Sequence, residues 1–205
     1  ALDPVRYLSN HSSGKMGYAI AKSAMLRGAD VTLVSGPTSI EKPPFVNVIG
    51  VVSAEDMFNA VKSEYSDCDY IFKAAAVADY TPETFSDNKI KKKDSDLSIP
   101  VKRTKDILGW LGEHRSHKQV ICGFSMETKD LMENSTAKLK KKNADMICAN
   151  NLKTTGAGFG TDTNVITVIT ANGNTELPLM SKEEAAMRII DLAVSLKADK
   201  LDKQA

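Results

Sequence analysis

The order of apolar segments predicts an α/β fold: a mostly parallel β-sheet with helices on both faces, closed by a C-terminal β-hairpin plus helix. Two observations carry that expectation. Short apolar runs alternate with amphipathic stretches along most of the chain, the sequence form of repeated strand–helix–strand units. Near the end, residues 165–170 and 175–179 are two strand-like runs flanking Ala171-Asn172-Gly173-Asn174, where Asn-Gly signals a hairpin turn.

The elements follow in order. A glycine-punctuated stretch, Ser12 to Gly17, opens a helix on which Ala21, Ala24 and Met25 share a face, and Gly28 supplies its stop. Residues 30–34 read as a strand and 46–52 as a second apolar run. Ser53, with Asp56 three residues on, resembles a capping box for a helix through Tyr65. Residues 70–77 form a small-residue strand running into a loop. A short helix around 107–111, a strand at 120–124, a helix at about 130–142 and a strand at 146–149 continue the alternation. After the hairpin, Ser181 and Glu184 cap a final helix. There is no internal repeat and no low-complexity segment; residues 89–96 and 138–142 stand out as charge runs.

At 205 residues and 42% hydrophobic content, the chain is long enough to bury a full core, and residues 1–205 read as one domain. Lys and Arg total 27 against 26 Asp and Glu, a balance that points to neither nucleic acid nor an acidic membrane surface as partner, so any anion site must be local. Cys68, Cys122 and Cys148 are far apart and lack metal-ligand spacing; buried free thiols in a reducing compartment are expected rather than a disulfide. No apolar run approaches the roughly 20 residues of a membrane span, and no signal peptide is recognisable, so a cytoplasmic location is expected. The sequence begins Ala1-Leu2-Asp3-Pro4 without an initiator Met, and is expected to be a trimmed piece of a longer chain.

In an open parallel sheet, ligands bind outside the carboxyl ends of the strands, so the loops that follow strands come first. Ser9-Asn10-His11-Ser12-Ser13-Gly14-Lys15-Met16-Gly17 leads into a helix with small residues that let backbone N–H groups approach an anion. It suits a phosphate, and equally a tight strand-to-helix turn. The P-loop spacing fails, Met16 replaces its hydroxyl residue, and G-x-G-x-x-G does not match either. In Lys73-Ala74-Ala75-Ala76-Val77-Ala78-Asp79-Tyr80, a row of alanines leaves room for a flat ring or backbone-mediated base recognition, and Asp79 could hold a metal ion on phosphates. Alternatively, the alanines pack a crowded crossover and Asp79 caps a turn.

Lys89-Ile90-Lys91-Lys92-Lys93 reads by default as a solvated basic loop; a lysine flap over a polyphosphate is the sharper alternative. Lys138 and Lys142 share a helix face with Leu131 and Ser135. They either snorkel from a core-facing stripe or face an anion. His114 and His117 have H-x-x-H spacing without carboxylate or cysteine partners nearby, so no metal site is expected there. No nucleophile elbow is present, and no motif marks any cysteine as a nucleophile.

Taken together, the segment from Asp3-Pro4-Val5-Arg6 through Gly17, Ala74 to Tyr80, Lys89-Ile90-Lys91-Lys92, Gly123-Phe124-Ser125-Met126-Glu127-Thr128 and Asp145-Met146-Ile147-Cys148-Ala149-Asn150 closely resemble the bacterial phosphopantothenate–cysteine ligase family. They span nearly the whole chain in the family's order. The resemblance implies a Rossmann-like three-layer fold, a homodimer, and fusion in many bacteria to a phosphopantothenoylcysteine decarboxylase. Its reaction joins 4'-phosphopantothenate to L-cysteine through an acyl-cytidylate made from CTP, with Mg²⁺ on the triphosphate.

By that resemblance Lys73, Ala74, Ala75, Phe124 and the segment Lys105, Asp106, Ile107, Leu108 surround the nucleotide. Asp79 lies near it and on the Mg²⁺, while Lys89, Lys138 and Lys142 meet the phosphates. Lys89 assists formation of the acyl-cytidylate. Asn10, Arg6 and Ala76, with Ser12, Ser13 and Gly14, hold the intermediate while cysteine attacks. Two departures stand out: the family's strand and Gly-Gly-Thr-like turn before Asp3 are absent, so a first strand is expected to be missing, and Thr104-Lys105-Asp106 stands where many relatives have Asn-Pro-Asp. Two rival readings exist. A Rossmann-type NAD(P) oxidoreductase lacks its glycine fingerprint and a Tyr-x-x-x-Lys pair here, and a nonenzymatic nucleotide-binding or regulatory subunit would not require Asn10, Asp79 and Lys89 together.

Overall fold

The structure, a computed structural model, describes residues 1–91, 96–127, 129–151 and 160–202. The chain runs through α1 (Lys15–Leu26), β1 (Thr32–Ser35), β2 (Asn47–Gly50), α2 (Ala54–Glu64) and β3 (Tyr70–Lys73). Next come β4 (Tyr80–Pro82), β5 (Val101–Arg103), α3 (Ile107–His114), β6 (Val120–Glu127) and α4 (Leu131–Lys141). It ends with β7 (Met146–Asn151), β8 (Thr163–Thr170), β9 (Gly173–Ser181) and α5 (Lys182–Asp202).

Alternation along the central strands sorts side chains into two layers. Val120 and Cys122 of β6, with Met146 and Cys148 of β7, pack against Ala185, Ile189 and Ala193 of α5. Ile121, Ile147 and Ala149 face the other way, onto Phe58 of α2, Ile107, Leu108 and Leu111 of α3, and Leu139 of α4. A sheet buried on both faces must be apolar at consecutive positions, which is why 120–124 and 146–149 read as unbroken runs. The result is a Rossmann-like three-layer α/β fold.

The main sheet has the order β3-β6-β7-β8-β9. β3, β6 and β7 are parallel, β8 pairs antiparallel with β7, and β9 pairs antiparallel with β8. β1 and β2 form a separate parallel pair. Helix α1 packs on β1, on β3 and on α5, so the unpaired edges of the two sheets lie beneath one helix. Ala19 and Ile20 of α1 close against Ala186 and Ile190 of α5.

Local signals place most elements well. The Ser53 hydroxyl accepts from the Asp56 amide at 3.0 Å and the Asp56 carboxylate accepts from the Ser53 amide at 2.9 Å, the reciprocal cap expected of that pair. Ser181 accepts from the Glu184 amide at 3.1 Å. The hairpin turns at Ala171 and Asn172, and Gly173 follows at φ 137°, where a side chain would be strained.

Two expectations are corrected, and one strand pair is new. The strand expected over 70–77 ends at Lys73, where its pairing with β6 stops at Gly123; the alanines that follow have little strand preference. β6 continues past Phe124 to Glu127 because β7 pairs with it that far. β4 and β5, a short antiparallel pair with Pro82 at its end, were not expected from the sequence at all. Among the described residues, no helix is long and apolar enough to cross a membrane. Cys68, Cys122 and Cys148 are free thiols, as expected, though Cys68 is only half-buried.

Gly112 of α3 couples the core to the site. A Cβ there would lie 2.9 Å from the Lys142 carbonyl carbon and collide with its oxygen. The Gly112 carbonyl accepts from the Asn143 side chain at 2.7 Å, holding the end of α4 against α3. Gly112→Ala is therefore expected to destabilise the protein by roughly 1–3 kcal/mol, the usual cost of overpacking, read as a lowered denaturation midpoint. An unchanged midpoint would show that α4 can move aside freely.

Candidate functional site

The carboxyl ends of β3 and β6 bring three lysines into one electrostatic neighbourhood. Lys73, the last residue of β3, is mostly buried and donates to the Ala75 carbonyl at 2.7 Å. Lys138 comes from α4 and donates to the Phe124 carbonyl on β6 at 2.7 Å. Lys142, the C-cap of α4, pairs with Asp106. Burial, and then the charge of Lys138, push the Lys73 ammonium down to about 8. Burial likewise lowers Lys138, with Glu127 opposing. Clustered and partly dehydrated cations of this kind are poised for an anion that would relieve their repulsion.

Asp106 caps α3, accepting from the Gly109 amide at 3.0 Å. Burial resists its ionisation, yet the Lys142 ammonium and that amide hold its carboxyl below the usual range. Ile107 and Leu108 are core residues, so this segment offers a ligand its backbone rather than those side chains. The Lys105 side chain leads elsewhere: its ammonium pairs with Glu55 at 2.6 Å and lies 4.5 Å over the Phe58 ring. The Phe124 ring packs against both cores on the α1 and α5 side, leaving its carbonyl on the lysine side.

Asp79 is exposed, and its main-chain oxygen accepts from the Thr104 amide at 2.9 Å. Among the described residues, no group of three or more His, Cys, Asp or Glu could hold a metal ion. A lone exposed carboxylate suits Mg²⁺ whose other ligands are phosphate oxygens and water, and does not suit a metal held by protein alone.

A second cluster joins the N-terminal turn to the basic loop. Arg6, Lys89, Ile90 and Lys91 line an open groove of about 420 Å³. Asp3, buried beneath it, accepts from the Arg6 guanidinium at 2.6 and 3.0 Å and from the amides of Val5, Arg6 and Ile90 at 2.9 to 3.0 Å. Arg6 also donates to the Ile90 carbonyl at 2.9 Å. The Arg6 guanidinium, followed by these amides, holds the Asp3 carboxyl far below the usual carboxylate range. Lys92 and Lys93, the rest of the basic run to residue 95, and Thr128 lie outside the described residues.

Asn10 donates to the Val77 carbonyl at 3.3 Å, next to Ala76. The segment from Ala74 to Asp79 is thus held at one end by Lys73 and near the other by Asn10. In the loop before α1, the Ser12 and Ser13 hydroxyls accept from the amides of Gly14 and Lys15 at 3.3 and 3.4 Å, and Gly14 takes the left-handed conformation at φ 76°. Met16 and Gly17 keep helix-terminal amides with no intrahelical acceptor. The Lys15 side chain instead holds Asp162 at 2.7 Å and the Gly160 carbonyl at 3.0 Å. His114 stacks on Trp110, with ring centroids 4.3 Å apart.

Two site carboxylates were not singled out from the sequence. Asp3 carries a signal that could have found it, an Asp-Pro turn start with Arg three residues on. Glu127 accepts from Ser125 at 2.7 Å and Asn134 at 3.2 Å while standing in the field of Lys138; only its place just past the strand expected over 120–124 hinted at that.

Over residues 1–196 the chain matches the family described as DNA/pantothenate metabolism flavoprotein C-terminal domain. It is 46% identical over 198 residues, 96% of its length, to the coenzyme A biosynthesis bifunctional protein CoaBC of Bacillus subtilis, of which it covers 48%. The chain spans about half the length of the curated relatives it matches. The crystal structure of the C-terminal domain of a CoaBC protein superimposes with a TM-score of 0.81 at 41% identity, covering 96% of this chain and 90% of that one. A Cab2 variant in complex with phosphopantothenate-cysteine shares the fold with a TM-score of 0.77 at 17% identity, covering 98% and 82% of the two chains.

Proposed function

The chain belongs to the DNA/pantothenate metabolism flavoprotein C-terminal domain family, and from that premise we propose that it joins 4'-phosphopantothenate to L-cysteine at the expense of CTP. The observation that carries this reading is the lysine cluster of Lys73, Lys138 and Lys142 at the carboxyl ends of β3 and β6, together with the separate basic groove of Arg6 and Lys89. A carboxylate is a poor electrophile and must be activated before an amine can displace its oxygen. In the first step a carboxylate oxygen of 4'-phosphopantothenate attacks the α-phosphorus of CTP, the bond to the β-phosphate breaks, and pyrophosphate leaves. In the second, the cysteine amine attacks the acyl carbon, loses a proton and expels CMP.

Each cluster suits one part of this sequence. Lys138 and Lys142 neutralise phosphate charge, and Lys73 adds a third cation whose proton an arriving anion would hold more tightly. Asp79 would hold Mg²⁺ carried by the triphosphate, and the ion would add charge neutralisation there. Ala74 and Ala75 leave a small-residue wall for the base. Lys89, an exposed point charge, meets the negative charge that grows on departing pyrophosphate. Asn10 and Arg6 face the acyl group near Ala76, where an amide and a guanidinium can donate to the carbonyl oxygen without ionising. Ser12, Ser13 and Gly14, ahead of the α1 N-terminus, would border the same substrate.

The resemblance to bifunctional relatives supports a longer native chain carrying a phosphopantothenoylcysteine decarboxylase, acting as a homodimer in the cytoplasm. The reaction is tested by following pyrophosphate with 4'-phosphopantothenate and Mg²⁺, comparing CTP with ATP, each with and without L-cysteine. CTP should support turnover only with phosphopantothenate, and repeated turnover should need cysteine. Equal use of ATP would remove the nucleotide assignment; no pyrophosphate from the full-length protein with either nucleotide would remove the ligase reading.

A further inference from the structure

We infer that Asp3 is a positioning residue that, from one buried anchor, presets Arg6 for the acyl intermediate and roots the Lys89 loop for the departing pyrophosphate; this rests on the ligase reading. The anchor is unusually complete. The Asp3 side chain has no exposed surface, yet it is fully used: one oxygen takes the amides of Val5 and Arg6, and the other takes the Arg6 guanidinium and the Ile90 amide.

The second oxygen does more than close a turn. It joins residues 84 apart in sequence, since Arg6 also donates to the Ile90 carbonyl, and Ile90 sits between Lys89 and Lys91 on the groove wall. Nε and Nη2 of Arg6 are occupied by Asp3 and Ile90, while the side chain remains 42% exposed. The guanidinium is therefore held by one edge, with Nη1 left to a ligand in the groove. A rigid fork held this way loses less freedom on binding than a free arginine would.

Asn at position 3 separates the two jobs of the carboxylate. Its carbonyl oxygen can still accept from the Val5 and Arg6 amides and keep the turn, but its NH₂ would then face the Arg6 guanidinium and the Ile90 amide, donors opposite donors. In Asp3→Asn, hydrogen exchange at the Ile90 amide is expected to speed up at least about tenfold, with a melting temperature that still shows a folded protein. The amide-forming step, followed by rapid quench with 4'-phosphopantothenate, CTP, Mg²⁺ and L-cysteine, is expected to slow about tenfold in the wild-type background. In an Arg6→Ala background, Asp3→Asn should add less than about twofold, because the anchor acts through Arg6.

Equal losses in both backgrounds would reduce Asp3 to a structural role and overturn the inference. So would unchanged exchange at Ile90, a readout that stands even if the protein makes no pyrophosphate. Absence of pyrophosphate in the wild type would instead overturn the ligase reading, and with it the catalytic part of the inference, while the exchange result would still decide whether Asp3 anchors the loop.

Discussion

Lys89→Gln is expected to slow formation of the acyl-nucleotide, read as the pre-steady-state release of pyrophosphate, by roughly 10²–10³-fold, the usual loss when one preorganised donor to a developing anion is removed. Glutamine keeps a polar, hydrogen-bonding side chain of slightly shorter reach and removes the charge. Lys89 is exposed on the groove it shares with Arg6, Ile90 and Lys91, so the substitution should move the denaturation midpoint by no more than about 0.5 kcal/mol. That separation matters. A stability loss of several kcal/mol would mean that Lys89 holds the loop rather than the reaction. Lys118→Gln, in the exposed turn before the amino end of β6, serves as the control, since it removes an equal charge at the opposite end of the sheet and should leave the rate within about twofold. If the two variants behave alike, net charge rather than Lys89 itself sets the rate.

How much of this could be read from residues alone depended on the range of the contact. Capping at Ser53 with Asp56 and at Ser181 with Glu184 is settled within three residues, and both were legible. The central strands were legible too, because burial on both faces leaves an unbroken apolar run. β4 and β5 were not, because each is three residues long and the pairing is non-local. In the site, the residue types were readable while their engagements were not. Lys15 sits in a loop that reads as phosphate-binding, but its ammonium is held by Asp162, 147 positions away. Lys105 is drawn to Glu55 over a separation of 50. Asp3 carries a local Asp-Pro turn signal, but one of its oxygens also takes the amide of Ile90, 87 positions away. Long side chains on flexible stems go where a distant carboxylate lies, and no local pattern records that.

Lys73→Met is expected to make the free protein more stable and the enzyme worse. In the folded protein the Lys73 ammonium titrates at about 8, against an ordinary 10.5, with burial as the main cause and Lys138 as the second. The native state therefore binds this proton less tightly than the unfolded chain does. Below about pH 8 the folded protein carries the full cost of a buried charge. Between about 8 and 10.5 the native side chain is neutral while the unfolded one is still charged, so this site's contribution to stability rises with pH and levels off above that window. Met removes the charge at every pH, so its advantage should be on the order of 2 kcal/mol at pH 7 and shrink across the window, less whatever the lost bond to the Ala75 carbonyl had contributed. A triphosphate placed against Lys73, Lys138 and Lys142 would raise the depressed proton affinity again, so wild-type CTP binding at pH 8 to 9 should take up protons and weaken as pH rises. In the variant both effects should fade and the KM for CTP should rise about tenfold, a loss of about 1.4 kcal/mol. Calorimetric titrations in buffers of differing ionisation enthalpy, alongside melts at pH 7 and 10, measure all of this. A variant less stable than wild type at pH 7 would show that Lys73 serves mainly to tie down the Ala75 carbonyl; binding without proton uptake would place the triphosphate away from the end of β3.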